Sequence, residues 1–189
     1  MDELTSLARA AGRGDRAALA RFVRETQGDV WRLCAYLVDP GAADDLTQDT
    51  YVRALPALGK FRGDAPVRSW LLSIARRACA AEISARSRDR RLAVRLAAVP
   101  DAGLGQPPAE PGGQAAADEL LAALEPGRRA AFVLTQLLGC SYAEAAAVCD
   151  CPVGTIRSRV ARAREDLDAM LVDQDAVSRR QAPAGDSRC

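Results

Sequence analysis

Histidine and asparagine are absent from this sequence of 189 residues, and lysine occurs once, at Lys60. Without histidine no Ser-His-Asp or Cys-His arrangement can be assembled, and a mixed Cys/His zinc site is equally excluded. No Gly-rich loop has the spacing that cradles phosphate, and the acids form no convincing catalytic pair. The sequence therefore predicts no active site, no cofactor and no metal centre, so the chain is not expected to be an enzyme. Aromatic residues make up only 4%. Its cores must be built mainly from Leu, Val and Ala, which suits helix packing better than sheets. No apolar run reaches the roughly eighteen residues a membrane helix needs. The N-terminal MDELTSLARAAGRGD lacks a basic region followed by an apolar stretch, so neither membrane insertion nor export is expected and the predicted location is the cytoplasm.

What is present is arginine. The formal net charge is only +1, but the charge is unevenly placed. Residues 1–95 hold 17 basic and 12 acidic side chains, a surplus of 5, concentrated in Arg76, Arg77, Arg86, Arg88, Arg90, Arg91 and Arg95. Residues 118–172 hold 6 basic and 8 acidic, a deficit of 2. Such a chain should bind nucleic acid weakly alone and better beside a partner that supplies affinity. The six cysteines are dispersed. Their one close pair, Cys149-x-Cys151, is too tight for the usual zinc knuckle and reads as turn packing.

Apolar periodicity predicts helices over 3–11, 16–37, 42–58 and 67–88, divided by Gly12-Arg13-Gly14-Asp15, Asp39-Pro40-Gly41 and Arg62-Gly63-Asp64-Ala65-Pro66. Pro56 predicts a shorter last turn for the third. Residues 96–117, dominated by Ala, Gly, Pro and Gln, read as a flexible linker. Helical patterning resumes at 118–123 and 126–138 and continues to about Leu171, and 173–189 read as a disordered tail. The expectation is an all-α chain of two small helical domains, 1–95 and 118–172, joined by the linker.

Ser141 to Arg164, SYAEAAAVCDCPVGTIRSRVARAR, encodes two helices about a tight turn at Asp150-Cys151-Pro152. Ala143, Ala146 and Ala147 are small enough for a close helix crossing. In the second helix Ile156, Val160, Ala163 and Leu167 form a core stripe, while Thr155, Ser158, Ala161 and Arg162 point away and Arg157 and Arg159 flank them. A helix of this layout can enter a major groove, its N-terminal residues at base edges and its arginines on phosphates.

DCPVGTIRSRVARAR, residues 150–164, closely resembles region 4 of bacterial sigma factors of the extracytoplasmic-function (ECF) group of the sigma-70 family. The resemblance implies that Thr155, Arg157, Ser158, Arg159 and Arg162 contact the upstream, minus-thirty-five promoter element. The stretch from Asp44 to Ala54 carries Leu46, Val52 and Leu55 on its apolar side and resembles region 2.2. This implies that Asp45, Gln48, Asp49 and Arg53 dock on the beta-prime clamp helices of RNA polymerase. FRGDAPVRSWL, residues 61–71, with Ile74-Ala75-Arg76, resembles regions 2.3 and 2.4. This implies minus-ten contacts by Arg62, Asp64, Arg68, Ser69, Trp70, Arg76, Arg77 and Arg86. Trp70 and Phe61 also read as packing residues that shape the loop. The implied partners are core RNA polymerase, through its beta-prime clamp helices and beta flap, and promoter DNA; an anti-sigma factor is left open. Two other classes fit part of the pattern. One is a helix-turn-helix regulator that binds an operator without polymerase; the other is a redox-responsive interaction module built on Cys149 and Cys151.

Overall fold

The computed structural model describes residues 3–63, 65–97 and 113–181, and all of its regular structure is helical. The helices are α1 (Glu3–Gly12), α2 (Arg16–Leu37), α3 (Pro40–Leu58), α4 (Val67–Ala97), α5 (Gly113–Ala123), α6 (Pro126–Phe132), α7 (Tyr142–Cys149) and α8 (Val153–Gln181). A single π-helical turn, Val133–Leu137, prolongs α6.

Local chemistry sets the starts. Asp15 accepts the N–H groups of Ala17 and Ala18 at 2.9 and 3.0 Å and caps α2. Asp39 caps α3 through Ala42 N–H at 2.9 Å, with Pro40 at the first helical position. Ser141 and Glu144 close a reciprocal capping box on α7.

The first module packs α1 to α4 around Phe22, Val30 and Leu33 of α2, Leu58 of α3, and Val67, Leu71 and Leu72 of α4. Gly12 lets α1 approach α3 closely, since a Cβ there would lie 2.8 Å from the Leu58 carbonyl oxygen. The second module packs α5 to α8 around Val133, Leu134, Val148, Ile156 and Val160. The two modules are not separate bodies in this structure. α4 lies against α7, and one continuous apolar cluster runs from Phe22 and Leu71 to Leu134 and Ile156. Tyr36 of α2 also packs on the smaller cluster of Leu121, Leu124 and Ala163.

Several sequence expectations are corrected. α5 begins at Gly113, inside the expected linker, because Gln114-Ala115-Ala116-Ala117 is a strong helix-forming run that was read as linker from its Gly/Pro neighbours. α4 continues past Arg88 to Ala97. α8 reaches Gln181, within the expected tail, because no Gly or Pro interrupts 173–181. The rest of the linker and tail, and Cys189, lie outside the described residues. α3 runs through Pro56 to Leu58: the buried Leu58 anchors the final turn despite the lost hydrogen bond. Of the alanines of α7, Ala145 and Ala146 turn inward, while Ala143 and Ala147 are exposed.

Candidate nucleic-acid interface and its closure

The helix-turn-helix is built as a rigid corner. α7 ends at Asp150 in the left-handed conformation, φ 51° and ψ 54°, which Asp tolerates better than most residues. The Asp150 and Cys151 N–H groups both return to the Ala146 carbonyl. α8 then buries Ile156, Val160 and Ala163 and half-buries Leu167, leaving Arg157, Ser158 and Arg162 exposed on the outer face. Thr155 is half-buried, its carbonyl accepting the Ser158 hydroxyl at 3.0 Å. Arg159 is half-buried, with Nη1 3.8 Å from Cys151 Sγ, and borders a cleft that α4 also lines.

The docking candidates share one face of α3. Asp45, Gln48 and Arg53 are exposed, and Asp49 pairs with Arg53 at 2.8 Å. Val52 belongs to this face as well: it is 70% exposed, not part of the apolar side with Leu46 and Leu55. Its spacing of seven from Asp45 carries that signal, since i and i+7 share a helix face.

Before α4, Phe61 and Trp70 stack at a tilt with centroids 5.3 Å apart. They floor a hollow of about 310 Å³ rimmed by Lys60 and Arg62. Arg62 and Arg77 are exposed, and Asp64 lies outside the described residues. Arg86 is bound by Glu82 and Asp39. Ser69 is buried and its hydroxyl has no hydrogen-bond partner.

Arg68 and Arg76 serve a different purpose in this arrangement. Arg68 is anchored through Nε to Asp29 at 2.7 Å. Its Nη2 donates to the Leu138 carbonyl at 2.7 Å and its Nη1 to Cys140 Sγ at 3.4 Å. Arg76 donates through Nε to the Val148 carbonyl at 2.9 Å and through Nη2 to that of Cys149 at 3.4 Å. Leu138 ends the π-turn and Val148-Cys149 end α7, so both guanidiniums cap helix C-termini of the second module. These ends carry unsatisfied carbonyls and partial negative charge. The guanidiniums of Arg68 and Arg76 are therefore occupied by the second module in this arrangement, and the Ser69 side chain is buried. Sequence reasoning also missed Asp29, the anchor of Arg68, and Arg129, a half-buried arginine at the head of the apolar run Ala130–Leu134.

The five described cysteines are free. Burial raises the pKa of Cys149, which makes it a poor nucleophile. No cluster of three or more potential metal ligands occurs among the described residues, and no helix there is long and apolar enough to cross a membrane.

Comparison with known proteins covers both modules. Residues 22–89 match the family description "Sigma-70 region 2", and residues 114–167 match "Sigma-70, region 4". The chain is 46% identical over 177 residues to a probable RNA polymerase sigma-C factor of Mycobacterium bovis, covering 92% of each chain. It is 32% identical over 167 residues to the ECF RNA polymerase sigma-E factor of Escherichia coli, covering 82% of this chain and 87% of that one. Among solved structures it resembles CnrH in complex with the cytosolic domain of CnrY, with a TM-score of 0.69 and 29% identity over 91% of this chain and 99% of that one. It also resembles the sigma factor RpoE of Bartonella quintana in complex with the anti-sigma factor NepR, with a TM-score of 0.64 and 29% identity over 81% of this chain and 96% of that one.

Proposed function

Because this chain belongs to the ECF group of the sigma-70 family of RNA polymerase sigma factors, we propose that it joins core RNA polymerase in the cytoplasm, directs it to promoters through two DNA elements and aids melting, with no catalysis of its own. One observation carries the upstream half of this reading. α8 presents Arg157, Ser158 and Arg162 outward from a fully buried stripe, at the second helix of a capped helix-turn-helix. That is the layout of a major-groove reader. Thr155 and Arg159 complete the candidate set at the helix start and flank.

The α3 face of Asp45, Gln48, Asp49 and Arg53 is proposed to dock on the polymerase clamp, with Val52 as its apolar centre. The Phe61–Trp70 hollow offers an unstacked base a seat. Arg62 at its rim, and Arg77 and Arg86 along α4, are proposed to hold the strand of the minus-ten element, and Asp64 is proposed to join them. Arg68, Ser69 and Arg76 join them only after the modules part, so the closed form is proposed as a resting state that polymerase docking opens. An operator-binding regulator acting without polymerase is not favoured, since it leaves the α3 face and the whole first module without a role. The relative crystallised with an anti-sigma factor, RpoE of Bartonella quintana, supports a partner of that kind here too.

The deciding experiment is runoff transcription with purified core polymerase on genomic fragments, with and without this protein. Start sites that depend on the protein support the reading, and operator binding with no effect on polymerase would overturn it.

A further inference from the structure

Closure creates a cleft of about 460 Å³ between the modules, within the roughly 300–1,000 Å³ of small-molecule sites. Five arginines line it: Arg76, Arg86 and Arg90 from α4, Arg129 from α6 and Arg159 from α8, and no carboxylate is among the lining residues. Asp39 and Glu82 balance Arg86 from outside. Arg76, Arg90 and Arg129 have no carboxylate partner among the described residues. Arg129 is the most exposed to this imbalance. Its guanidinium reaches only main-chain carbonyls, those of Leu37, Ala122 and Leu124, and its Nε is buried with no partner at all. Burial alone pulls its pKa below the ordinary value, the mark of a cation taken from water without an anion in return. Leu37, Val38 and Ile83 give the cleft an apolar wall beside this charge.

We propose that this cleft binds a small polyphosphorylated anion, and that its occupancy holds the two modules closed. Phosphate oxygens accept from several guanidiniums at once, and the planar forks of arginine suit them better than any neutral ligand. The cleft is too small for a duplex, and its apolar wall leaves room for a nucleoside at one end of a phosphate chain. Since the lining comes from both modules, the ligand meets its full set of donors only in the closed form, so binding shifts the population toward closure. This regulatory consequence rests on the sigma-factor reading; the binding itself does not.

The test is calorimetric titration of the full chain at physiological salt with tripolyphosphate, with ATP and with inorganic phosphate, beside hydrogen exchange of the α4–α7 seam. Tripolyphosphate or ATP is expected to bind one per chain and to slow exchange at the seam, and inorganic phosphate to bind far more weakly. Equal affinity for the first two identifies the phosphate chain as the recognised group; tighter ATP identifies a nucleoside seat. Arg90→Glu, at an exposed position with no partner to lose, should weaken binding by about tenfold or more. Arg129→Gln, checked for folding by circular dichroism, should do the same. Absence of binding up to about millimolar ligand, affinity unchanged in R90E, or binding that leaves the seam's exchange unaltered would overturn the proposal. The same preparations are mixed with core polymerase in ligand-free buffer. A chain that joins polymerase but binds no anion refutes the cleft and leaves the family reading intact.

Discussion

Replacing Arg68 with alanine should release the second module from the first without unfolding either. The side chain gives up its donation to the Leu138 carbonyl at 2.7 Å and the weaker one to Cys140 Sγ at 3.4 Å, both across the seam. A hydrogen bond from a charged donor contributes about 1.5–3 kcal/mol. Arg68 and Asp29 are 28% and 20% exposed, so water can enter the space that the guanidinium vacates, and the lower part of that range applies. A loss of about 2 kcal/mol is about a thirtyfold shift in the ratio of closed to open chains. Hydrogen exchange reads this directly: amides covered at the seam should exchange about thirtyfold faster, while those within the α2–α3 core keep their protection. Arg68→Lys should fall between, because one ammonium cannot hold Asp29 and Leu138 with a planar fork. Association with core polymerase should accelerate even as transcription declines, since the same arginine is proposed to contact the minus-ten strand. Exchange at the seam unchanged within a factor of about two would refute the assignment of Arg68 as a latch.

Other consequences can be checked separately. Arg157→Ala and Arg162→Ala should lower transcription with the fold intact, and on promoters carrying every single-base change a base reader loses about 1–3 kcal/mol of discrimination at one position, whereas a phosphate anchor weakens all sequences alike; full activity with unchanged preference in both variants would remove α8 from the groove. Val160→Asp, at a site 2% exposed, places a carboxylate in the core and should abolish cooperative melting of the second module. Val52→Asp should weaken co-purification with core polymerase and leave the melting temperature unchanged, because the side chain is already in water; undiminished assembly would contradict the docking face. Backbone N–H donors at Gly127 and at Ser141 hold the carboxylates of Glu125 and Glu144 below their ordinary pKa. Their stabilisation is therefore complete above the unfolded value of about 4.3 and disappears as pH falls through the lower folded values. Acid melting of the second module should begin below about pH 4.3 and be shallower in Glu144→Gln, and equal pH dependence of the two proteins would argue against the cap's contribution.

Much of the architecture was legible because its signals are local. Asp15 announces a helix start, and the Ile156, Val160, Ala163 stripe fixes which side of α8 faces water. The boundaries failed where composition misled: Gly113-Gln-Ala-Ala-Ala contains a glycine and lies beside prolines, but four of its residues favour a helix. Val52 misleads because a valine in an amphipathic pattern signals core, and only its register with Asp45 says otherwise. The closure was invisible for a deeper reason. Arg68 and Arg76 carry no sequence mark of this second role, because their main acceptors are the carbonyls of Leu138, Val148 and Cys149, and a main-chain carbonyl is carried by every residue and marked by no pattern.

That asymmetry bears on how such a chain can change over generations. Since the acceptors at Leu138, Val148 and Cys149 are main-chain oxygens, most substitutions in the second module leave them in place. On the side of the first module the polar part of the closure is thus written in Arg68, with its anchor Asp29, and in Arg76, and both arginines also supply proposed promoter contacts. A lineage cannot loosen its resting state through these positions without altering its hold on the minus-ten strand, so readiness and promoter choice would drift together, and a variant selected for faster response should carry an altered set of target genes.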